Sequence, residues 1–195
     1  MLRGVYAPSD FESIDSDPAI PAAVKLAVIH AARVRVTQSE FRDNFGGPFD
    51  LELPFRVRAS FDLCTHTDGQ PLEQPYLSGE RIDVSDEALY RNGLGTRLIK
   101  SAVRYGLLLE PRLQVFSTGW ARLGLLNSVV KIFGEDSVAV MHGDNRYGWN
   151  GNVPLDAIFD DLPPRAGQPY LIPAMEAAVN PEIALGWELP IVDHS

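Results

Sequence analysis

From Phe55 to Leu63 the chain alternates without a break. Phe55, Val57, Ala59, Phe61 and Leu63 fall on one side, and Arg56, Arg58, Ser60 and Asp62 on the other. A period of two predicts a β-strand with one face buried. Thr67-Asp68-Gly69-Gln70-Pro71 closes that strand as a turn. Further strands are predicted over Gly79 to Val84, with Ile82 and Val84 inward, over Arg112 to Phe116, and over Ser137 to Met141. A helical period takes over elsewhere. Ala22 to Arg35 carries Val24, Ala27, Val28 and Ala31 on one face, although Val34 to Thr37 also suits a short strand. Leu94 to Tyr105 is a second helix. Trp120 to Phe133 is a third, with Leu123, Leu126, Val130 and Phe133 as its apolar stripe and Gly134 as its C-cap. Strands that alternate with helices predict an α/β (α+β) fold, a mixed central β-sheet flanked by helices.

Three regions follow. Residues 1–20 are acidic and interrupted by Pro8 and Pro18, and read as an irregular N-terminal arm. Residues 21–151 form the α/β domain. Within it, His142 to Gly151 is rich in Gly, Asn and aromatic residues and is expected to be a functional loop. Residues 152–195 hold Pro154, Pro163, Pro164, Pro169, Pro173, Pro181 and Pro190, and are expected to wrap the domain as an irregular extension that also suits a homodimer contact.

Seventeen Lys and Arg against 26 Asp and Glu give a net charge of −9. A chain this acidic repels a phosphate backbone, which argues against general nucleic-acid binding and favours a cationic partner such as an amine. No apolar run approaches the ~18 residues of a membrane span. The first ten residues lack the apolar core of a signal peptide, and one cysteine, Cys64, excludes an internal disulfide framework. A cytoplasmic protein without a membrane partner is expected.

The densest chemical signal is Tyr90-Arg91-Asn92-Gly93-Leu94-Gly95-Thr96-Arg97-Leu98, between a predicted strand and a predicted helix. Glycine allows close approach to the backbone, the first helical turn has unpartnered N–H groups, and the helix dipole adds positive charge; together these suit a phosphate. Arg97, Lys100 and Arg104, at helical spacing, add a basic stripe with Arg91. No Gly-Lys-Ser/Thr follows the turn, so it is not a P-loop, and no third glycine completes a dinucleotide fingerprint. Gly93-Leu94-Gly95, followed by Thr96-Arg97-Leu98-Ile99, resembles motif A of the GNAT acyltransferase superfamily, Gln/Arg-x-x-Gly-x-Gly/Ala, across roughly Gly79 to Met141. The chain departs from that pattern in carrying Tyr90 where the family has Gln or Arg. It also lacks a tyrosine in the helix Trp120 to Phe133, where Asn127 lies mid-helix.

The resemblance implies a GNAT-like fold and transfer of an acyl group from acetyl-CoA or another acyl-CoA to the amine of a small molecule or peptide, by direct attack in a ternary complex. It places the CoA pyrophosphate on the amides of Arg91, Asn92, Gly93, Leu94, Gly95 and Thr96, with Arg97 nearby. Amine acylation needs a base for the ammonium and an acid for the leaving thiolate. Glu80 and Asp83 are the candidate bases, on the strand before the turn, and Ser117 and Tyr147 the candidate acids. Trp120 and Trp149 are candidates to line an acceptor pocket. The competing reading is a non-enzymatic binding or structural protein whose glycine turn only shapes a strand–helix junction. Cys64, His66 and Asp68, with His142 and Asp144, lack any recognised metal-ligand spacing, so no metal is expected. A Cys64–His66 nucleophile pair is equally weakly supported, and His30 reads as a core histidine.

Overall fold

A computed structural model describes residues 20–32, 34–38, 47–134, 138–142, 146–158 and 191–193. Its elements in chain order are α1 (Ala22–Ala31), β1 (Arg35–Gln38), β2 (Pro48–Leu53), β3 (Val57–Thr67), β4 (Gln70–Val84), a 3₁₀ turn at Glu87–Leu89, α2 (Leu94–Leu109), β5 (Val115–Arg122), α3 (Leu123–Phe133), β6 (Val138–His142), β7 (Arg146–Asn152), the short helix α4 (Leu155–Ile158) and β8 (Ile191–Asp193). The strands form one mixed eight-stranded sheet in the order β6-β7-β5-β4-β3-β2-β1-β8. Neighbours are antiparallel except β1–β8 and β4–β5. The α/β fold class, a mixed sheet flanked by helices, is as the periodicity predicts. The proline-rich stretch and the N-terminal arm lie outside the described residues.

β3 and β4 turn on Asp68 and Gly69, both at positive φ (47° and 77°), the conformation that matches strand twist in a two-residue hairpin. The alternation on β3 is real. Val57, Ala59, Phe61 and Leu63 are buried, while Arg58 is exposed and Ser60, Asp62 and Cys64 are half-buried on the opposite face. The buried face meets α2. Phe49 stacks on Phe61 with centroids 5.7 Å apart and meets the edge of Tyr105 at 5.0 Å, and Gly106 lets α2 close down beside Leu113, Leu77 and Leu63. α3 covers the next part of this face, where Phe133 stacks on Phe116 at 5.1 Å.

The structure resolves the open end of the first helix and corrects several other expectations. The first helix ends at Ala31, and Arg35–Gln38 is a strand. Its inward residues are Ile29 and Ala32, while Val24 is 49% exposed and His30 lies on the surface rather than in the core. Pro48–Leu53 is a strand that was not anticipated, and β4 begins at Gln70 rather than Gly79. Arg146–Asn152 is an inner strand of the sheet, not a loop. Trp120 belongs to β5, so α3 starts at Leu123.

The basic stripe expected on α2 is used inside the fold. Arg97 donates from Nη1 to the Ile29 carbonyl and from Nη2 to the Ala32 carbonyl, both at 2.5 Å, and so closes the C-terminus of α1. Arg104, only 5% exposed, donates to the Ile158 carbonyl at the end of α4, from Nε at 3.0 Å and Nη2 at 2.5 Å. Terminal helix carbonyls lack internal partners and carry the negative end of the dipole, so a guanidinium fork suits them. Lys25 ties the other part of α1 to Asp86 at 2.6 Å. Arg97→Met therefore leaves two carbonyls of α1 without their charged donor, and urea unfolding should show a loss of about 2–4 kcal/mol. Arg97→Lys should recover only part of it, because one ammonium does not reproduce the fork. An unchanged midpoint for Arg97→Met would show that α1 docks without this cap.

Candidate functional site

β4 and β5 are parallel neighbours that pair over a short distance only. The partners are Tyr76 with Val115, Leu77 with Phe116, Ser78 with Ser117, and Gly79 with Thr118. Beyond that last pair each strand continues with a different neighbour. β4 stays on β3 through Arg81, Ile82, Asp83 and Val84. β5 stays on β7, where the register slips after Thr118 and resumes with Ala121 opposite Tyr147 and Arg122 opposite Arg146. The facing edges of the two strands above Gly79 and Thr118 thus have no strand partner in each other. Such edges offer backbone N–H and C=O groups to an extended ligand.

A bulge sits at the mouth of this fork. Ser60 pairs with Arg81 and Phe61 with Gly79, which leaves Glu80 without a partner on β3. A bulge re-aims the side chains that follow it. Simple alternation groups Glu80 with inward Ile82. Instead, Glu80 accepts from Ser78 Oγ at 2.6 Å and lies on the polar face with Tyr76, Ser78 and Asp62. Among the described residues no cation pairs with Glu80. Asp83 is different, because it is ion-paired with Arg81 and stands opposite Arg58. The bulge brings both candidate bases to the polar face, and the ion pair on Asp83 is what separates them.

Around Glu80 the polar face gathers groups that the sequence reading passed over. Asp62 lies opposite Ser78, and Cys64 opposite Tyr76. Burial, then the charge of Glu80, pushes the Asp62 carboxyl above the usual carboxylate value. Tyr76 shares a hydrogen bond with Cys64, and that bond, followed by burial, pushes the phenol up to about 12. Burial is also the main cause that raises the Cys64 thiol. Tyr76 therefore stays protonated and Cys64 is a poor thiolate. His66 Nδ1 contacts Thr65 Oγ1 at 2.9 Å, and Cys64 is engaged by Tyr76, which leaves the weakly supported Cys64–His66 nucleophile pair without a contact to carry it. Among the described residues no three His, Cys, Asp or Glu side chains gather as a metal site, and Asp144 lies outside them. The polar half of the β3 alternation, which contains Asp62, was the available signal for this cluster.

At the C-terminal end of β4 the chain turns through the 3₁₀ segment into α2. Asp86 accepts from the Ala88 amide at 3.0 Å. Arg91 and Gly93 take positive φ (64° and 76°), and Tyr90, Arg91, Asn92 and Gly93 are exposed. The first hydrogen bond of α2 runs from the Arg97 amide to the Gly93 carbonyl at 3.0 Å, so the amides of Leu94, Gly95 and Thr96 precede the helical ladder. A Cβ on Gly93 would meet nothing within 4 Å. A Cβ on Gly95 would come within 2.8 Å of Ser128 Oγ on α3. Gly95 is thus required by helix–helix contact, and a bulkier residue there tests packing rather than phosphate space. Arg97 is committed to α1 and does not serve the turn.

The structure brings Glu80 and Ser117 to the base of the fork, since Ser117 pairs with Ser78, which donates to Glu80. The backbone of Tyr147 lies on β7 opposite Ala121 and Met141. The side chains of Tyr147, Trp120 and Trp149 lie outside the described set. Comparison with protein-family models and with curated proteins returns no match to this chain.

Asp62 makes a pH test available. Its folded value lies above its unfolded one, so the charged form is disfavoured by folding, and the resulting cost grows as pH rises through the window between the two. Asp62→Asn should therefore unfold at a higher urea concentration than wild type at pH 7. The advantage should vanish below about pH 3, where both states of the wild-type carboxyl are protonated. A gain that persists at low pH would mean that ionisation is not its cause.

Proposed function

We propose that this protein is an acyl-CoA-dependent N-acyltransferase of GNAT-like fold, acting on a cationic amine. The fork between β4 and β5 carries the reading: two strand edges part beyond Gly79 and Thr118, and a Cβ on Gly95, in the first turn of α2, would come within 3.9 Å of Ile82 Cδ1 on the β4 arm. A ligand that fits both needs a diphosphate at one end and an extended, amide-bearing arm at the other, and acyl-CoA is such a molecule. The exposed turn residues Arg91, Asn92 and Gly93 complete the cradle.

In this mechanism the acceptor approaches over the polar face, drawn by Asp62 and Glu80. Glu80 takes a proton from its ammonium. The freed amine attacks the thioester carbon, so a C–N bond forms as the C–S bond breaks. A backbone N–H released from the ladder at the bulge stabilises the oxyanion. The thiolate leaves with a proton from a hydroxyl at the fork, where Ser117 and the protonated Tyr76 are available.

A second reading has its own observation. Gly95 is explained by its contact with Ser128, and Arg97 by its cap on α1, so part of the motif is needed by the fold alone. That reading makes the chain a binding or structural protein with no acyl-CoA site.

Titration with acetyl-CoA separates the two. At 100 times its dissociation constant a ligand stabilises the folded state by about 2.7 kcal/mol, which a thermal shift reads directly. Absence of any shift at millimolar acetyl-CoA sinks the enzyme reading. The cradle itself is tested with Gly93→Asn and Gly93→Asp, because both residues tolerate a left-handed backbone and differ in charge. Gly93→Asp should bind acetyl-CoA at least about fivefold more weakly than Gly93→Asn, since an added anion opposes the diphosphate. Equal affinities would place the diphosphate elsewhere.

A further inference from the structure

Thr118 is 2% exposed, and among the described residues its Oγ1 meets no hydrogen-bond partner. A buried hydroxyl left without a partner destabilises a fold, and a valine of the same outline would carry no such cost. The residue stands in the last β4–β5 pair, opposite Gly79, at the floor of the fork. Its side chain shares the sheet face of Phe116, and a Cβ on Gly79 would come within 3.4 Å of Thr118 Cγ2 and 3.0 Å of Phe116 Cζ. The absence of a side chain at Gly79 thus lets the Phe116 ring and the Thr118 methyl pack directly on β4.

The helices bring the turn beside the β4 arm. α3 folds back from the end of β5 so that Phe133 lies on Phe116. Gly95 of the α2 N-terminus packs on Ser128 of α3, and a Cβ there would come within 3.9 Å of Ile82 Cδ1, three residues beyond Gly79 on the β4 arm. An arm that enters at the turn and descends the fork ends at Thr118.

We propose that the Thr118 hydroxyl donates a hydrogen bond to the thioester carbonyl of the acyl-CoA bound in the fork and so positions it for attack. This rests on the acyl-CoA reading above. The test is calorimetric titration of wild type, Thr118→Val and Thr118→Ser with two probes: acetyl-CoA, and adenosine 3′,5′-bisphosphate, which lacks the arm. Thr118→Val should bind acetyl-CoA about tenfold more weakly, with its affinity for the bisphosphate unchanged, and Thr118→Ser should restore acetyl-CoA binding. Without ligand, Thr118→Val should melt no lower than wild type. If wild type binds acetyl-CoA and Thr118→Val binds it equally well, the Thr118 contact is wrong and the acyl-CoA reading stands. If wild type binds neither probe, both fall. A lower melting temperature without ligand, or equal weakening toward both probes, makes the hydroxyl structural and overturns the inference.

Discussion

The fold depends on a conflict of pairing between two central strands. β4 is held by β3 from Tyr76 to Val84 on either side of the bulge, and β5 is held by β7. Each sheet half twists with its own neighbours, and the two halves share a ladder only from Tyr76 to Gly79 and from Val115 to Thr118. Extending the shared ladder would mean abandoning the outer ones. The bulge at Glu80 sharpens the separation, since an extra residue on one strand bends it and increases its local twist. A gap in the middle of a sheet is otherwise a poor use of backbone hydrogen bonds. Here the last shared pair carries a small, buried hydroxyl, that of Thr118, and the N-terminus of α2 lies beside Ile82 on the β4 arm.

Charge is divided between the two faces. The face toward α2 and α3 is apolar, and the two arginines that reach the helical layer are held by helix-terminal carbonyls. The opposite face carries an ion-pair ladder, with Glu52 between Arg58 and Arg35, and then the acidic group Asp62 and Glu80. Compensated charges lie toward β1, and uncompensated ones lie at the fork. Surface pairs such as those on Glu52 contribute little to stability. Two nearby carboxylates, Asp62 half-buried and Glu80 exposed, oppose it. In the proposed reaction a cationic acceptor would relieve that repulsion, a trade of stability for function.

The sequence was informative where one physical signal dominated. β3 was plain because its alternation is uninterrupted and one face is fully buried. The start of α2 was plain because Gly93 takes the left-handed conformation that glycine favours. β2 was missed although Phe49, Leu51 and Leu53 alternate with Asp50 and Glu52, because Gly46-Gly47-Pro48 drew attention to a break. Pro71 and Pro75 hid the first part of β4. They fit because β5 pairs with that strand only from Tyr76, so the earlier stretch has a free side that tolerates a missing N–H. β7, with Gly148 and Gly151, has low strand propensity and is fixed by β5 and β6 on either side. Arg97 and Arg104 illustrate the limit of spacing arguments. Their helical interval is as read, but what they face is set by α1 and α4, whose positions no local pattern gives. The bulge at Glu80 was illegible for the same reason, because it is a property of two strands together.

The two glycines of the turn show how far a motif can be trusted. Gly93 and Gly95 stand side by side in the sequence pattern, yet different forces select them. Gly95 is demanded by the approach of Ser128, and any protein that packs two helices this closely would need it. Gly93 has open space beside it and is demanded only by a backbone turn. Asn or Asp would tolerate that turn with modest strain. A Gly-x-Gly match is therefore weaker evidence for a phosphate than its two residues imply, since one of them is fully explained by packing. What the pattern does mark is a helix N-terminus pressed against α3 and aimed at a sheet that has been pried open. That pairing of a helix N-terminus with a gap between strand edges is a property of the tertiary structure. It would survive the replacement of either glycine by a residue that kept the backbone in place.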